Sequence, residues 1–189
     1  MTDTTPPPMF PDDKASANTF MVRLPVTIRS AVRDDVSKLE WYGLHANVRN
    51  LIRKAFMEQV QGRRLMLVAD LNDFPVGQVY LQFIAGNPSI ADGYHRAYLY
   101  SFRVIDHLRR CGIGSMLLTS AEGELVTRGF REVVLQVAKH NDEAQRLYER
   151  HQYKVIGEDA GIWSYIDHHG VSQSVNEPVW VMQKQLARP

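Results

Sequence analysis

Two arginines and two glycines, Arg109, Arg110, Gly112 and Gly114, crowd the stretch SFRVIDHLRRCGIGSML, where an apolar strand pattern gives way to an apolar helix pattern. A helix starting near Gly114 has backbone N–H groups that its own first turn cannot satisfy, and they converge on one volume. Glycine lets another group come close to the backbone, while the helix dipole and a nearby guanidinium attract negative charge. The chemistry expected of this turn is the holding of a phosphate or pyrophosphate. A tight turn with two solvated arginines is the plain alternative. The common nucleotide fingerprints do not fit, because a P-loop needs Gly-Lys followed by Ser or Thr and a dinucleotide loop needs a third glycine where Leu117 stands.

A second group lies downstream in NDEAQRLYERHQY. Asn141 can cap a helix whose first turn carries Asp142 and Glu143, and Ala144, Leu147 and Tyr148 then share a stripe. Tyr148 reads as core packing or as a proton donor. Cys111, the only cysteine, sits inside the glycine turn with no histidine patterned to activate it, so a small spacer is expected rather than a nucleophile. No cluster has metal-ligand spacing, and no metal is expected.

The surrounding elements must position these groups. VTIRSA alternates as a half-buried strand would, Asp34 or Asp35 could cap a helix carrying Val36, Leu39 and Tyr42, and a second helix carries Leu51, Ile52, Ala55, Phe56 and Val60. Three runs rich in aromatic and β-branched residues, Leu65 to Asp70, Val76 to Ile84 and Ala97 to Val104, read as an antiparallel meander. The helix after the glycine turn buries Ile113, Leu117, Ala121 and Leu125 and stops at Gly129. It returns the chain to VVLQV, which a strand–helix–strand crossover makes parallel to its predecessor. Two last strands, near Tyr153 to Glu158 and Pro178 to Gln185, enclose a loop bearing Trp163 and Tyr165.

VIDHLRRCGIGSMLL resembles the signature loop of the GNAT superfamily of acyl-coenzyme A N-acyltransferases, Arg/Gln-x-x-Gly-x-Gly/Ala, through Arg109, Gly112 and Gly114. The second stretch resembles that superfamily's Asn-x-x-Ala-x-x-Leu-Tyr pattern, through Asn141, Ala144, Leu147 and Tyr148. The inferred order of elements agrees over about Val26 to Leu186. The resemblance implies a single α/β domain at residues 23–189, with a mostly antiparallel central sheet, one parallel splayed pair and helices on both faces.

The same resemblance implies acetyl-coenzyme A as cosubstrate, with its pyrophosphate on Arg109, Arg110, Cys111, Gly112, Ile113, Gly114 and Ser115. Backbone groups of Phe102 and Val104 would pair with the pantetheine arm, Val104 N–H would polarise the thioester, and Asn141 either caps its helix or contacts the cofactor. Tyr148 matches the acid that protonates the leaving thiolate. Some relatives carry Glu six residues before the position of Val104; Tyr98 stands here instead, so Tyr98 or Tyr100 is expected to relay the amine proton through water, unless both simply pack. Gln152 replaces a frequent glycine at a helix end. Acceptor-pocket candidates are Trp41, Tyr42, His45, Tyr80, Gln82, His95, Trp163 and Tyr165, whose rings would suit an amphipathic or cationic amine.

Composition limits the alternatives. Lys and Arg number 22 against 21 Asp and Glu, so no whole-chain field draws the protein to nucleic acid or an anionic membrane. No apolar run approaches the ~18 residues of a membrane span. The first 22 residues, rich in Pro, Thr and Asp, read as a mobile arm without a signal-peptide pattern, and a cytoplasmic setting is expected. The expected activity is transfer of an acetyl group to a primary amine of a small molecule or peptide. A longer acyl group, or a non-catalytic acyl-coenzyme A sensor, is the alternative on the same cradle. Homodimers are common among proteins of this kind.

Overall fold

The computed structural model describes residues 23–187; the arm expected over residues 1–22 lies outside them. Nine strands and four α-helices follow in the order β1 (Val26–Ser30), α1 (Asp35–Lys38), α2 (Arg49–Val60), β2 (Arg64–Leu71), β3 (Phe74–Gln82), β4 (Arg96–Val104), α3 (Ile113–Thr127), β5 (Glu132–Ala138), α4 (Asp142–Arg150), β6 (Lys154–Asp159), β7 (Ile162–Ile166), β8 (Ser172–Asn176) and β9 (Val179–Gln185). Seven strands form one sheet in the order β1-β2-β3-β4-β5-β9-β6. Every neighbouring pair is antiparallel except β4 with β5, which the α3 crossover makes parallel. The expected mixed sheet is present.

Both faces of the sheet are covered, which is why β2 reads as a nearly unbroken apolar run. Met66, Val68 and Tyr80 face α1 and α2, packing with Leu39, Ile52 and Ala55. Leu67, Val79, Leu81 and Leu135 face the other way, against Leu117, Leu118 and Leu125 of α3. Each large side chain buried along α3 contributes roughly 1.5–3 kcal/mol. Gly129, at φ +88°, ends α3 in the left-handed conformation that glycine adopts without strain. Among the described residues, no helix is long and apolar enough to cross a membrane, and no group of His, Cys, Asp and Glu is arranged to hold a metal ion.

Two expected elements differ. The first helix ends at Lys38 instead of reaching Tyr42, because Trp41, Tyr42 and Gly43 take positive φ and Trp41 Nε1 donates to the Pro75 carbonyl at 2.8 Å. Tyr42 is turned outward, 93% exposed, and stacks on Phe74. Asp35 is not a cap. Its buried carboxylate accepts from Arg29 Nη1 at 2.6 Å, Arg29 Nη2 at 3.0 Å and the Val32 amide at 2.8 Å. The loop of Trp163 and Tyr165 is a hairpin of β7 and β8, registered from Ile162↔Asn176 to Ile166↔Ser172. Both its faces are largely exposed, so it carries no apolar alternation to betray the strands.

Candidate functional site

The site begins where two strands part. β4 and β5 pair from Arg96↔Glu132 to Leu99↔Leu135 and no further, while β5 stays with β9 as far as Ala138↔Val179 and β4 stays with β3 as far as Gly77↔Val104. The parting coincides with a bulge. Ser101 and Phe102 oppose the single residue Val79, and Ser101 sits at φ +50°. A bulge bends the strand and re-aims its side chains. Gln78, buried on β3, braces it by donating to the Ser101 carbonyl at 3.2 Å, and the Tyr80 hydroxyl donates to Gln78 Oε1 at 3.2 Å. From Tyr100 to Val104 the β5-facing edge of β4 has no strand partner.

The glycine turn follows directly. Among the described residues, nothing accepts a hydrogen bond from the backbone N–H of any residue from Arg110 to Ser115, a run of donors ending in the first turn of α3. Arg110 at φ +62° and Gly112 at φ +86° bend this run into a concave nest, a form that binds anions. Gly112 has open space where a Cβ would stand, so backbone conformation is what demands glycine there. Gly114 differs: a Cβ would meet Leu147 at 3.4 Å and Phe102 at 3.5 Å, ordinary van der Waals distances, so neither space nor backbone conformation demands glycine there.

The side chains of the turn divide their work. Arg109 Nε donates to the Val104 carbonyl at 3.2 Å and its Nη2 pairs with Asp106 at 2.8 Å, so Arg109 ties the loop to the end of β4. Arg110 is exposed and available to an anion. Cys111 is exposed, and its Sγ lies 3.5 Å from the Arg109 carbonyl. Ser115 Oγ lies 3.1 Å from His151 Nε2, a contact that the sequence did not single out. Burial holds the His151 pKa below the usual histidine range.

Tyr148 stands in the wedge between the parted strands, beside Ser101, Gln136 and Glu177. It is 5% exposed, and burial pushes its phenol above the ordinary tyrosine range. Its ring packs against Phe102 and Tyr153, so it is both core and cleft lining. Asn141 Oδ1 accepts from the Ala144 amide at 3.1 Å and lines the same cleft. The Tyr98 hydroxyl donates to Gln136 Oε1 at 3.1 Å across the start of the parting, and burial, with the neighbouring Tyr100, pushes its pKa up to about 12. Tyr100 stacks on Tyr98, and its hydroxyl accepts from Arg64, whose Nε binds Glu58.

From the cradle a cleft of about 780 Å³ runs past Phe102 and Val104 to Trp41, Leu44 and His45. The β7–β8 hairpin approaches this end: the Tyr165 hydroxyl accepts from Asn47 Nδ2 at 3.0 Å, and Asn50 Nδ2 donates to the Asp167 carbonyl at 2.6 Å. Of the expected acceptor residues, Trp41 and His45 line the cleft, Tyr80 is buried, and Tyr165, with Trp163 beside it, does not line the cleft but bonds Asn47 near His45. Tyr42, Gln82 and His95 do not line it. Gln82 is turned to the Ile84 carbonyl and His95 to Glu132.

Arg103 and Glu177 are among the cleft residues that no sequence pattern marked. Arg103, half-buried on β4, lines it and has no carboxylate partner among the described residues. A charge inside the apolar run YSFRVI was the available signal. Burial, followed by the charge of Arg103, lowers the His45 pKa. Glu177 lies at the wedge, its Oε1 3.6 Å from His140 Nε2. Glu177 and His140 belong to connecting segments whose spatial meeting no local pattern announces.

The sequence profile of the acetyltransferase (GNAT) family matches residues 33–153. An acetyltransferase of Pectobacterium atrosepticum is 31% identical over 94 residues, a match covering 49% of this chain and 59% of that protein. The chain thus aligns with less than two thirds of that relative's length. Arabidopsis thaliana NAA60 in complex with acetyl-CoA is similar in fold at a TM-score of 0.63 and 17% identity, covering 85% of this chain and 99% of that one. A ribosomal-protein-alanine N-acetyltransferase from Escherichia coli superposes at a TM-score of 0.64 and 20% identity, covering 87% and 96%.

Proposed function

The chain belongs to the acetyltransferase (GNAT) family, and on that premise we propose that it transfers the acetyl group of acetyl-coenzyme A to a primary amine of a small molecule or peptide. The observation that carries this reading is the run of unpartnered N–H groups from Arg110 to Ser115 at the start of α3. That run fits a pyrophosphate: the donors converge, Gly112 presents no side chain, and Arg110 adds charge. The open edge of β4 beyond Leu99 suits a pantetheine arm, which pairs through amide groups as a strand would.

In this reading the amine nitrogen attacks the thioester carbon, and the Val104 N–H stabilises the oxyanion that forms. The carbon–sulfur bond then breaks, and Tyr148 gives its phenolic proton to the leaving thiolate. Burial keeps the phenol protonated at neutral pH, so the proton is in place when the thiolate forms. The amine must react in neutral form. Its proton leaves through water held by Tyr98 and Gln136, with Glu177 and His140 as the acceptors at the wedge.

The test is thermal unfolding with coenzyme A, acetyl-coenzyme A, ATP and NAD at equal concentrations, since a ligand of the native state alone raises the midpoint. Both coenzyme A species should raise it and the nucleotides should not. Thiol release in the presence of an amine panel then reads out transfer. Absence of any coenzyme A effect would overturn the reading.

A further inference from the structure

Arg103 is the cleft residue for which the transfer chemistry has no use. Past the bulge, Arg103 and Val104 pair regularly with Gln78 and Gly77, so their side chains point to opposite faces of the sheet. Phe102 and Val104 pack with the α3 side of the core. Arg103 therefore faces the α1–α2 side of the sheet, the side opposite α3. Its surroundings there are His45 and the hydroxyl-bearing rings of Tyr80 and Tyr165.

Four other partly buried arginines are matched with acids, Arg29 with Asp35 and Asp70, Arg49 with Glu40, Arg64 with Glu58 and Arg96 with Glu132, whereas Arg131 at the edge of β5 has no such match among the described residues. Arg103 has none among the described residues, and Asp106, the acid at the same end of β4, is engaged by Arg109. Burial lowers the Arg103 pKa, whereas the Asp35 carboxylate raises that of Arg29. A guanidinium half out of water without a counter-charge is costly to keep, and a planar carboxylate is the group that its paired N–H donors match.

We propose that the acceptor is an amine that also carries a carboxylate, an amino acid or a peptide with a free acid near its reacting nitrogen, and that Arg103 receives that carboxylate at the α1–α2 end of the cleft. The proposal rests on the acetyl-transfer reading and narrows it. A purely cationic acceptor would meet the charge of Arg103, so the ring of Trp41 flanks a zwitterion rather than a polycation.

The experiment compares acids with neutral analogues of the same skeleton: L-phenylalanine against its amide, and 4-(aminomethyl)benzoate against benzylamine. The full chain should favour the acid by about tenfold or more in kcat/KM in at least one pair, the scale of a hydrogen bond to a charged group. In Arg103→Gln and Arg103→Met that ratio should fall to within about twofold of unity, and Arg103→Lys should fall between, because it keeps the charge without the fork. Coenzyme A-induced stabilisation of each variant reports that it is folded. Calorimetry with the N-acetylated acids and amides, in the presence of coenzyme A, gives a readout without turnover. Equal use and equal binding of acid and amide, or a preference that survives Arg103→Met, would overturn the proposal while leaving acetyl transfer intact. Acid-selective binding lost in Arg103→Met without transfer to any amine would support the anion site and count against acetyl transfer.

Discussion

The side-chain amide of Gln78 reaches across from β3 and holds the carbonyl of Ser101 at 3.2 Å, so a residue buried in one strand fixes the bulge at which the next strand leaves its parallel neighbour. Replacing Gln78 by Leu leaves the Ser101 carbonyl and the Tyr80 hydroxyl without that partner. The expected loss is about 1–3 kcal/mol of stability by urea unfolding, accompanied by a higher KM for acetyl-coenzyme A. A stability loss with KM unchanged would show that the bulge needs no brace.

Gly112 separates backbone demand from anion binding. Gly112→Ala forces a side chain into φ +86° with open space around it, at a cost of roughly 1–2 kcal/mol, and should keep the stabilisation by coenzyme A. Gly112→Glu adds a carboxylate in front of the converging N–H groups and should abolish that stabilisation. Thermal midpoints of the two variants, with and without ligand, distinguish these cases; equal ligand shifts in both would remove the cradle from the explanation.

Tyr148→Phe removes one oxygen and keeps the ring packing against Phe102 and Tyr153. Loss of a general acid lowers kcat by on the order of 10², and the affinity for coenzyme A should hold. The pH profile carries the sign. Burial raises the phenol pKa, so the acid form persists above the ordinary tyrosine range, and alkaline pH near 10 should not switch off the wild-type enzyme through Tyr148. A kcat unchanged in Tyr148→Phe assigns the ring to packing alone.

The Asp35–Arg29 pair makes a prediction about acid stability. Burial alone would raise the Asp35 pKa, but the Arg29 guanidinium and the Val32 amide outweigh it and hold the carboxyl below its usual range. A depressed carboxyl stabilises the fold above its unfolded pKa, and that contribution disappears as pH falls through the lower folded value. Asp35→Asn should therefore cost about 3 kcal/mol at pH 7, as breaking a buried pair does, and progressively less below pH ~4. Chemical unfolding of both proteins across that window should show the two curves converging.

Much of the architecture was legible because its signals are local. Leu65 to Ala69 and Val133 to Leu135 are unbroken apolar runs, as expected of strands covered on both faces, and the crossover length alone implied the parallel pairing. The glycine turn and its run of unpartnered N–H groups were legible for the same reason: Gly112 and the start of α3 lie within a few residues of each other. What could not be read depends on distant partners. Asp35 looked like a cap until Arg29 and Asp70 came together around it, and Trp41 ended its helix early by bonding to Pro75, 34 positions away. Gln78 and Arg103 are polar residues set between apolar neighbours in their strands, and only the sheet register reveals which bulge one holds and which face the other takes.

The parting of β4 and β5 also bears on how the protein behaves in a tube. Beyond Leu99 each strand turns a row of backbone groups toward the gap instead of toward a neighbour in the ladder, and such rows are templates for strands of other molecules. A ligand whose amides fill the gap acts as a missing strand, closing the sheet against self-association. Concentrated preparations held with coenzyme A should scatter less light on warming than preparations without it, so the cosubstrate doubles as a guard against aggregation.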